Sequence, residues 1–131
     1  MKWSKPMMWS VPALAYSLLI IYLSHQSQPI PQMESWMNWD KFLHFVEYSV
    51  WTFLWWLPIR YLNFKPVRLL TGLGIMGALF AISDEWHQSF IPGRVSSFSD
   101  WISDSLGILT ILFLIYQLMV LRNMELKKDE N

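Results

Sequence analysis

Three short blocks gather the residue types that could do chemistry. They are Asp40-Lys41-Phe42-Leu43-His44-Phe45-Val46-Glu47-Tyr48, Ser83-Asp84-Glu85-Trp86-His87-Gln88 and Asp100-Trp101-Ile102-Ser103-Asp104. On helices, steps of three and four residues share a face. Lys41, His44 and Tyr48 then line one face of the first block, with Glu47 beside His44. Asp84 stacks with His87 and Gln88, while Glu85 points elsewhere, toward the Pro92-Gly93-Arg94 turn or a neighbouring helix. Asp100 and Asp104 stand one turn apart, and Gly107 leaves room just below Asp104.

Four chemistries suit such a set. His44 with Glu47, Asp84 with His87, and Asp100 with Asp104 each offer a ligand pair one turn apart, as in carboxylate–histidine bundle sites. His44, Asp84 and His87 are the nearest metal candidates, but no His-Glu-x-x-His spacing is present, so no metal or other cofactor is assigned. His44 or His87 against a carboxylate could act as a general acid–base pair. Without a nucleophile elbow, a P-loop or any Cys, no reaction can be named and no catalytic residue assigned. Lys41 and Arg94 could capture an anion or a lipid headgroup. The fourth option is a bracing network, with Arg94 clamping Glu85 or Asp100 and Lys41 serving another acid.

The elements that position these blocks are apolar. Met7 to Leu23, Tyr48 to Ile59, Leu69 to Ile82 and Leu106 to Leu121 are uncharged runs. A membrane span needs about 20 mostly apolar residues. The first run meets that alone, and the others meet it by continuing into the polar blocks. The expectation is therefore an all-α bundle of four transmembrane helices, over approximately 7–23, 41–61, 67–88 and 100–122. Those helices form a single membrane domain across residues 1–131. Only 15% of the residues are charged, against roughly 25% in soluble domains. Nine Trp suit a membrane–water interface. Zero net charge gives no field for nucleic acid. Lys2 and Lys5 ahead of the first run resemble a signal-peptide n-region, but no small-x-small cleavage site follows, so this segment is read as retained.

Lys and Arg set the orientation. Lys2, Lys5, Arg60, Lys65, Arg68, Arg122, Lys127 and Lys128 fall on one side of the alternating helices, and only Lys41 and Arg94 on the other. Both termini are then expected in the cytoplasm, in a multi-pass protein of the cytoplasmic membrane, with the polar cluster at the outer end. Between the first two helices, Met33 to Trp39 either lies on the membrane surface or folds over the bundle. Gly74, Gly77, Ala78 and Ala81 give the third helix a small-residue face for close packing, within the chain or in a homodimer. Glu125 to Asn131 reads as a solvated tail.

Asp40-Lys41 with His44 and Tyr48, Asp84-Glu85-x-x-Gln88 leading to Pro92-Gly93-Arg94, and Asp100 with Asp104 and Gly107 together resemble the VanZ-like family of bacterial membrane proteins. Order and spacing agree across essentially the whole chain. One departure is Asp104, where the family pattern leads one to expect Asn. The second carboxylate makes the pocket more acidic. The resemblance implies a four-helix membrane domain and, through the founding member, a link to reduced susceptibility to the glycopeptide teicoplanin.

The expected function is binding or acting on a lipid-linked component of the cell envelope. Membrane lipid, a lipid-linked cell-wall precursor or a glycopeptide are the expected partners. The pocket set is Lys41, His44, Glu47, Tyr48, Asp84, Glu85, His87, Gln88, Arg94, Asp100 and Asp104. Two alternatives remain open: a metal-assisted or acid–base hydrolase or transferase on a lipid-linked phosphate or sugar, and a non-catalytic membrane interaction protein.

Overall fold

The computed structural model describes residues 4–27, 39–94 and 96–129. The order is α1 (Lys5–Ser24), α2 (Trp39–Ile59), α3 (Pro66–Gln88) and α4 (Phe98–Asp129), with no strand among the described residues. The helices alternate in direction. The C-terminal ends of α1 and α3 meet the N-terminal ends of α2 and α4 at one end of the bundle. The segment proposed as a surface helix or folded loop lies outside the described residues, apart from Trp39.

Local sequence explains the boundaries. Prolines at the first turns of α1 and α3 sit where a backbone N–H would be unpaired anyway. Ser97-x-x-Asp100 opens α4 with reciprocal bonds. The Ser97 hydroxyl donates to Asp100 Oδ2 at 2.7 Å, and the Asp100 N–H donates to Ser97 Oγ at 3.2 Å. That is the logic of a capping box, which satisfies donors that a helix start leaves orphaned. Gly93, at φ +84°, turns the chain between α3 and α4 through the left-handed region that glycine favours. At its other end α4 runs helically to Asp129, through most of the charged segment expected to be a tail.

Three helices are long and apolar enough to cross a membrane: Lys5–Ser24, Pro66–Gln88 and Phe98–Leu126. Their outward surfaces carry Leu14, Leu18, Ile75, Leu79, Leu109 and Phe113, all exposed, as a lipid-facing surface requires. The protein is thus a multi-pass membrane protein. The fourth helix, α2, is less apolar because it occupies the middle of the bundle. Tyr48 and Thr52 on it are fully buried, with His44 and Trp51 nearly so.

Packing around α2 uses aromatic and small residues in alternation. Trp51 stacks on Phe80 of α3 with ring centres 5.1 Å apart. Its indole N–H and that of Trp55 both donate to Ser17 Oγ of α1, at 2.9 and 3.1 Å. One hydroxyl thereby satisfies two indoles in a setting without water. The small-residue face of α3 is used inside the chain. A Cβ on Gly77 would press on Ile108 Cδ1 at 2.9 Å, and one on Gly74 on Leu112 Cδ1 at 3.0 Å. The tightest crossing is at Gly107 of α4. A Cβ there would run into the carbonyl oxygen of Phe45 on α2 and come within 3.0 Å of Ser49 Oγ. The room expected beside Gly107 is filled by the backbone of α2.

Candidate functional site

Each of the three polar blocks lies at the same end of the bundle, and two contacts join α2 to α4 there. Lys41 Nζ is 2.8 Å from Asp100 Oδ1, with the lysine side chain about one-third exposed. Deeper by one turn, His44 Nδ1 lies 3.0 Å from Asp104 Oδ1, and both residues are buried. Tyr48, a further turn down, is fully buried with its hydroxyl unpartnered. Glu47 is half-buried beside this face.

The third helix contributes through two different faces. Glu85 is buried, and its Oε2 accepts from the Ser96 hydroxyl at 2.9 Å and from the Ser97 N–H at 3.1 Å. It therefore receives the N–H that precedes α4, the donor that the reaching carboxylate of a capping box would otherwise serve. Its other oxygen, Oε1, is buried without a partner. Ligand atoms of His44, Glu85 and Asp104 lie within 4.8 Å of one another, so one side chain from each of three helices converges on a single point.

Asp84 faces the other way. It is buried, and its Oδ2 accepts from Gln88 Nε2 at 3.0 Å, with the same amide 3.4 Å from Ser24 Oγ on α1. His87 leaves the cluster and stacks on His25, which caps the C-terminal end of α1, with ring centres 5.4 Å apart and a nitrogen-to-nitrogen distance of 3.3 Å.

Arg94 clamps neither Glu85 nor Asp100. Its Nε donates to the Gln26 carbonyl at 3.0 Å and its Nη2 to the Leu23 carbonyl at 2.7 Å. A cation at the C-terminal end of a helix complements the helix dipole, and here it adds a second donor to the Leu23 carbonyl, which also accepts from the Gln26 N–H. The bracing network thus exists in a different form from the one expected, with Arg94 tying the α3–α4 loop to α1.

Between α3 and α4, beside Glu85, lies an open groove of about 340 Å³. Ile82, Phe98 and Trp101 form its apolar walls, and Glu85, Ser96 and Ser97 its polar floor. Trp101 Nε1, like Glu85 Oε1, is buried without a partner.

A family model described as VanZ/LLP1 matches residues 5–121. The chain belongs to the VanZ/LLP1 family. That span takes in all four helices up to Leu121 of α4, and with them every residue of the polar end. No curated protein and no solved structure gives a significant match to the chain.

Within this VanZ/LLP1 domain, His44, Glu85 and Asp104 come together, with Lys41 and Asp100 one turn above them. Asp84 and Gln88 form a separate buried pair against α1. His87 and Arg94 are directed to α1. Ser96, Ser97 and Trp101 belong to the site although the pocket set omitted them. The Ser97-x-x-Asp100 capping pattern was the available signal for the serine. Ser24 and His25 carry no such signal, since their role depends on how α1 ends against α3.

Proposed function

We propose that this VanZ/LLP1 protein binds a lipid-linked component of the bacterial cell envelope at the outer face of the cytoplasmic membrane, through the groove beside Glu85. In this reading α2 also spans the bilayer. Helix alternation favours that, because its two neighbours in sequence meet it at opposite ends of the bundle. The excess of Lys and Arg at the termini and in the α2–α3 turn favours both termini in the cytoplasm, so that the polar end faces outward.

The single observation that carries the proposal is the groove itself. Its volume falls in the range of small-ligand sites, which are roughly 300–1,000 Å³. Apolar walls end on a buried carboxylate with a free oxygen and a buried indole N–H with no partner. The flank where it opens carries exposed Ile82 and Phe98, so a hydrocarbon chain could lie along the helices while its headgroup enters. Hydroxyl-bearing headgroups suit the floor, where Ser96, Ser97 and Glu85 are the polar lining. Aromatic walls with a carboxylate also favour sugar rings. The family name links the proposal to susceptibility to the glycopeptide teicoplanin.

The test is teicoplanin susceptibility in a bacterial strain with and without the chain, alongside Phe98→Ala and Trp101→Phe, with membrane abundance measured by immunoblot. Phe98 is exposed, so its loss removes a groove wall without touching the core. The proposal expects the parent chain to shift susceptibility and both variants to lose the shift at equal abundance. Variants that keep the full shift would exclude the groove. A chain without effect on any glycopeptide, and retaining no polyprenyl-linked sugar in native mass spectra, would remove the function.

A further inference from the structure

We infer that His44, Glu85 and Asp104 form a binding site for one divalent first-row metal ion, with Zn²⁺ the leading candidate. Three lines of observation meet there. One donor atom from each side chain already lies within 4.8 Å of the other two, and the residues come from three different helices. All three are buried, at 7%, 7% and 0% exposure for His44, Glu85 and Asp104. Two of the four carboxylate oxygens, Glu85 Oε1 and Asp104 Oδ2, are buried with no hydrogen-bond partner. Such atoms cost free energy unless something fills their lone pairs, and polar groups buried in a membrane bundle are normally paired.

Charge sharpens the inference. Among the described residues, neither carboxylate has a Lys or Arg bonded to it. Lys41 is spent on Asp100, and Arg94 on the carbonyls of Leu23 and Gln26. His44 is the sole cationic candidate next to two acids. A dication with two carboxylates and a neutral imidazole makes a set with no net charge, which is the form a buried site tolerates.

The geometry asks for little movement. Ligand distances near 2.0–2.2 Å in a tetrahedral zinc site put donor atoms roughly 3.4 Å apart. The His44 Nδ1–Asp104 Oδ1 separation of 3.0 Å is already close to that, and Glu85 must close by no more than about 1.4 Å. One nitrogen and two carboxylate oxygens suit Zn²⁺, Mn²⁺ or Fe²⁺ better than Ca²⁺ or Mg²⁺, which favour all-oxygen shells. Three protein ligands leave a fourth position free, as in sites where a metal also meets a ligand or water. The other triple at this end, Asp40 with His44 and Asp100, is weaker: Asp40 is exposed and Asp100 already holds Lys41.

Because Glu85 also floors the groove, a cation there would turn an acidic floor into one that accepts phosphate. That consequence rests on the groove reading, whereas the metal site does not.

The test uses the full chain in nanodiscs, stripped with a chelator, dialysed, then titrated separately with Zn²⁺ and Mn²⁺ alone. Metal is counted by plasma mass spectrometry and binding followed by calorimetry. One ion per chain is expected for the parent. Asp104→Asn and Glu85→Gln should each weaken binding by at least about tenfold, the scale set by losses in ligand shells. Asp84→Asn, outside the triple, should bind like the parent. Should the ligand variants fail to fold, Co²⁺ in the parent chain decides, through visible absorption and paramagnetically shifted imidazole resonances from His44. A parent that takes up no ion, ligand variants that bind as well as the parent, or a Co²⁺ spectrum without imidazole coordination would each overturn the site.

Discussion

Replacing Gly107 by Ala adds one carbon to α4 at the point where that helix lies closest to α2. The new Cβ would run into the carbonyl oxygen of Phe45 and come within 3.0 and 3.1 Å of the Ser49 hydroxyl and N–H. A helix carbonyl cannot swing aside, so the two helices must separate. Overpacking of this kind costs about 1–3 kcal/mol, and contact with backbone argues for the upper end. Against it stands the better helix propensity of Ala, about 0.8–1 kcal/mol. The net expectation is a loss of about 2 kcal/mol.

Gly72 provides the internal control, because nothing lies within 4 Å of a Cβ built there. Gly72→Ala should therefore gain up to about 1 kcal/mol. Unfolding of both variants in one detergent, by heat or by SDS titration, should separate them by about 3 kcal/mol. Gly107 also lies three residues from Asp104, so the same substitution should open the His44–Asp104 contact, readable as a shift of the His44 ring resonances. Equal stability of the two variants would refute the α2–α4 crossing and the geometry of the site above it.

Other side chains test the bracing. Ser17→Ala strands two indole N–H groups, from Trp51 and Trp55, at a cost of about 1–3 kcal/mol each when they are fully shut from water. Unfolding midpoint and tryptophan emission should both report it. Lys41→Met should cost about 1–3 kcal/mol, because the lysine is about one-third exposed but its partner Asp100 is buried and would lose its charged donor. No loss at all would mean that Asp100 does not depend on Lys41. Ser97→Ala should cost about 1 kcal/mol through the lost α4 cap, measured by amide exchange in the first turn of α4.

The uncharged runs reveal four helices, because a helix facing lipid has little freedom in composition. α2 is the helix that falls short of a span by hydropathy, since its inward Tyr48, Trp51 and Thr52 answer to neighbouring helices and not to lipid. Helical spacing grouped Lys41, His44 and Tyr48 along one face. It also separated Glu85 from Asp84, since adjacent residues on a helix point about 100° apart. Spacing could not say which of the two meets His44, because that depends on how α3 is rotated against α2 and α4. The destination of Arg94 was equally hidden. Its acceptors are main-chain carbonyls of Leu23 and Gln26, and a carbonyl leaves no mark in sequence. His87 was grouped with Asp84 by its i+3 spacing, yet the end of α1 supplies His25 as its neighbour.

An outward-facing polar end is the central claim, and accessibility of engineered cysteines tests it most directly, since the chain has no native Cys. Ser27 lies at the polar end and Asn63 in the α2–α3 turn at the opposite end, and both are exposed. A membrane-impermeant maleimide applied to intact cells should label Ser27→Cys at once and Asn63→Cys only after the membrane is opened. Labelling of Asn63→Cys in intact cells, with Ser27→Cys protected, would contradict the account.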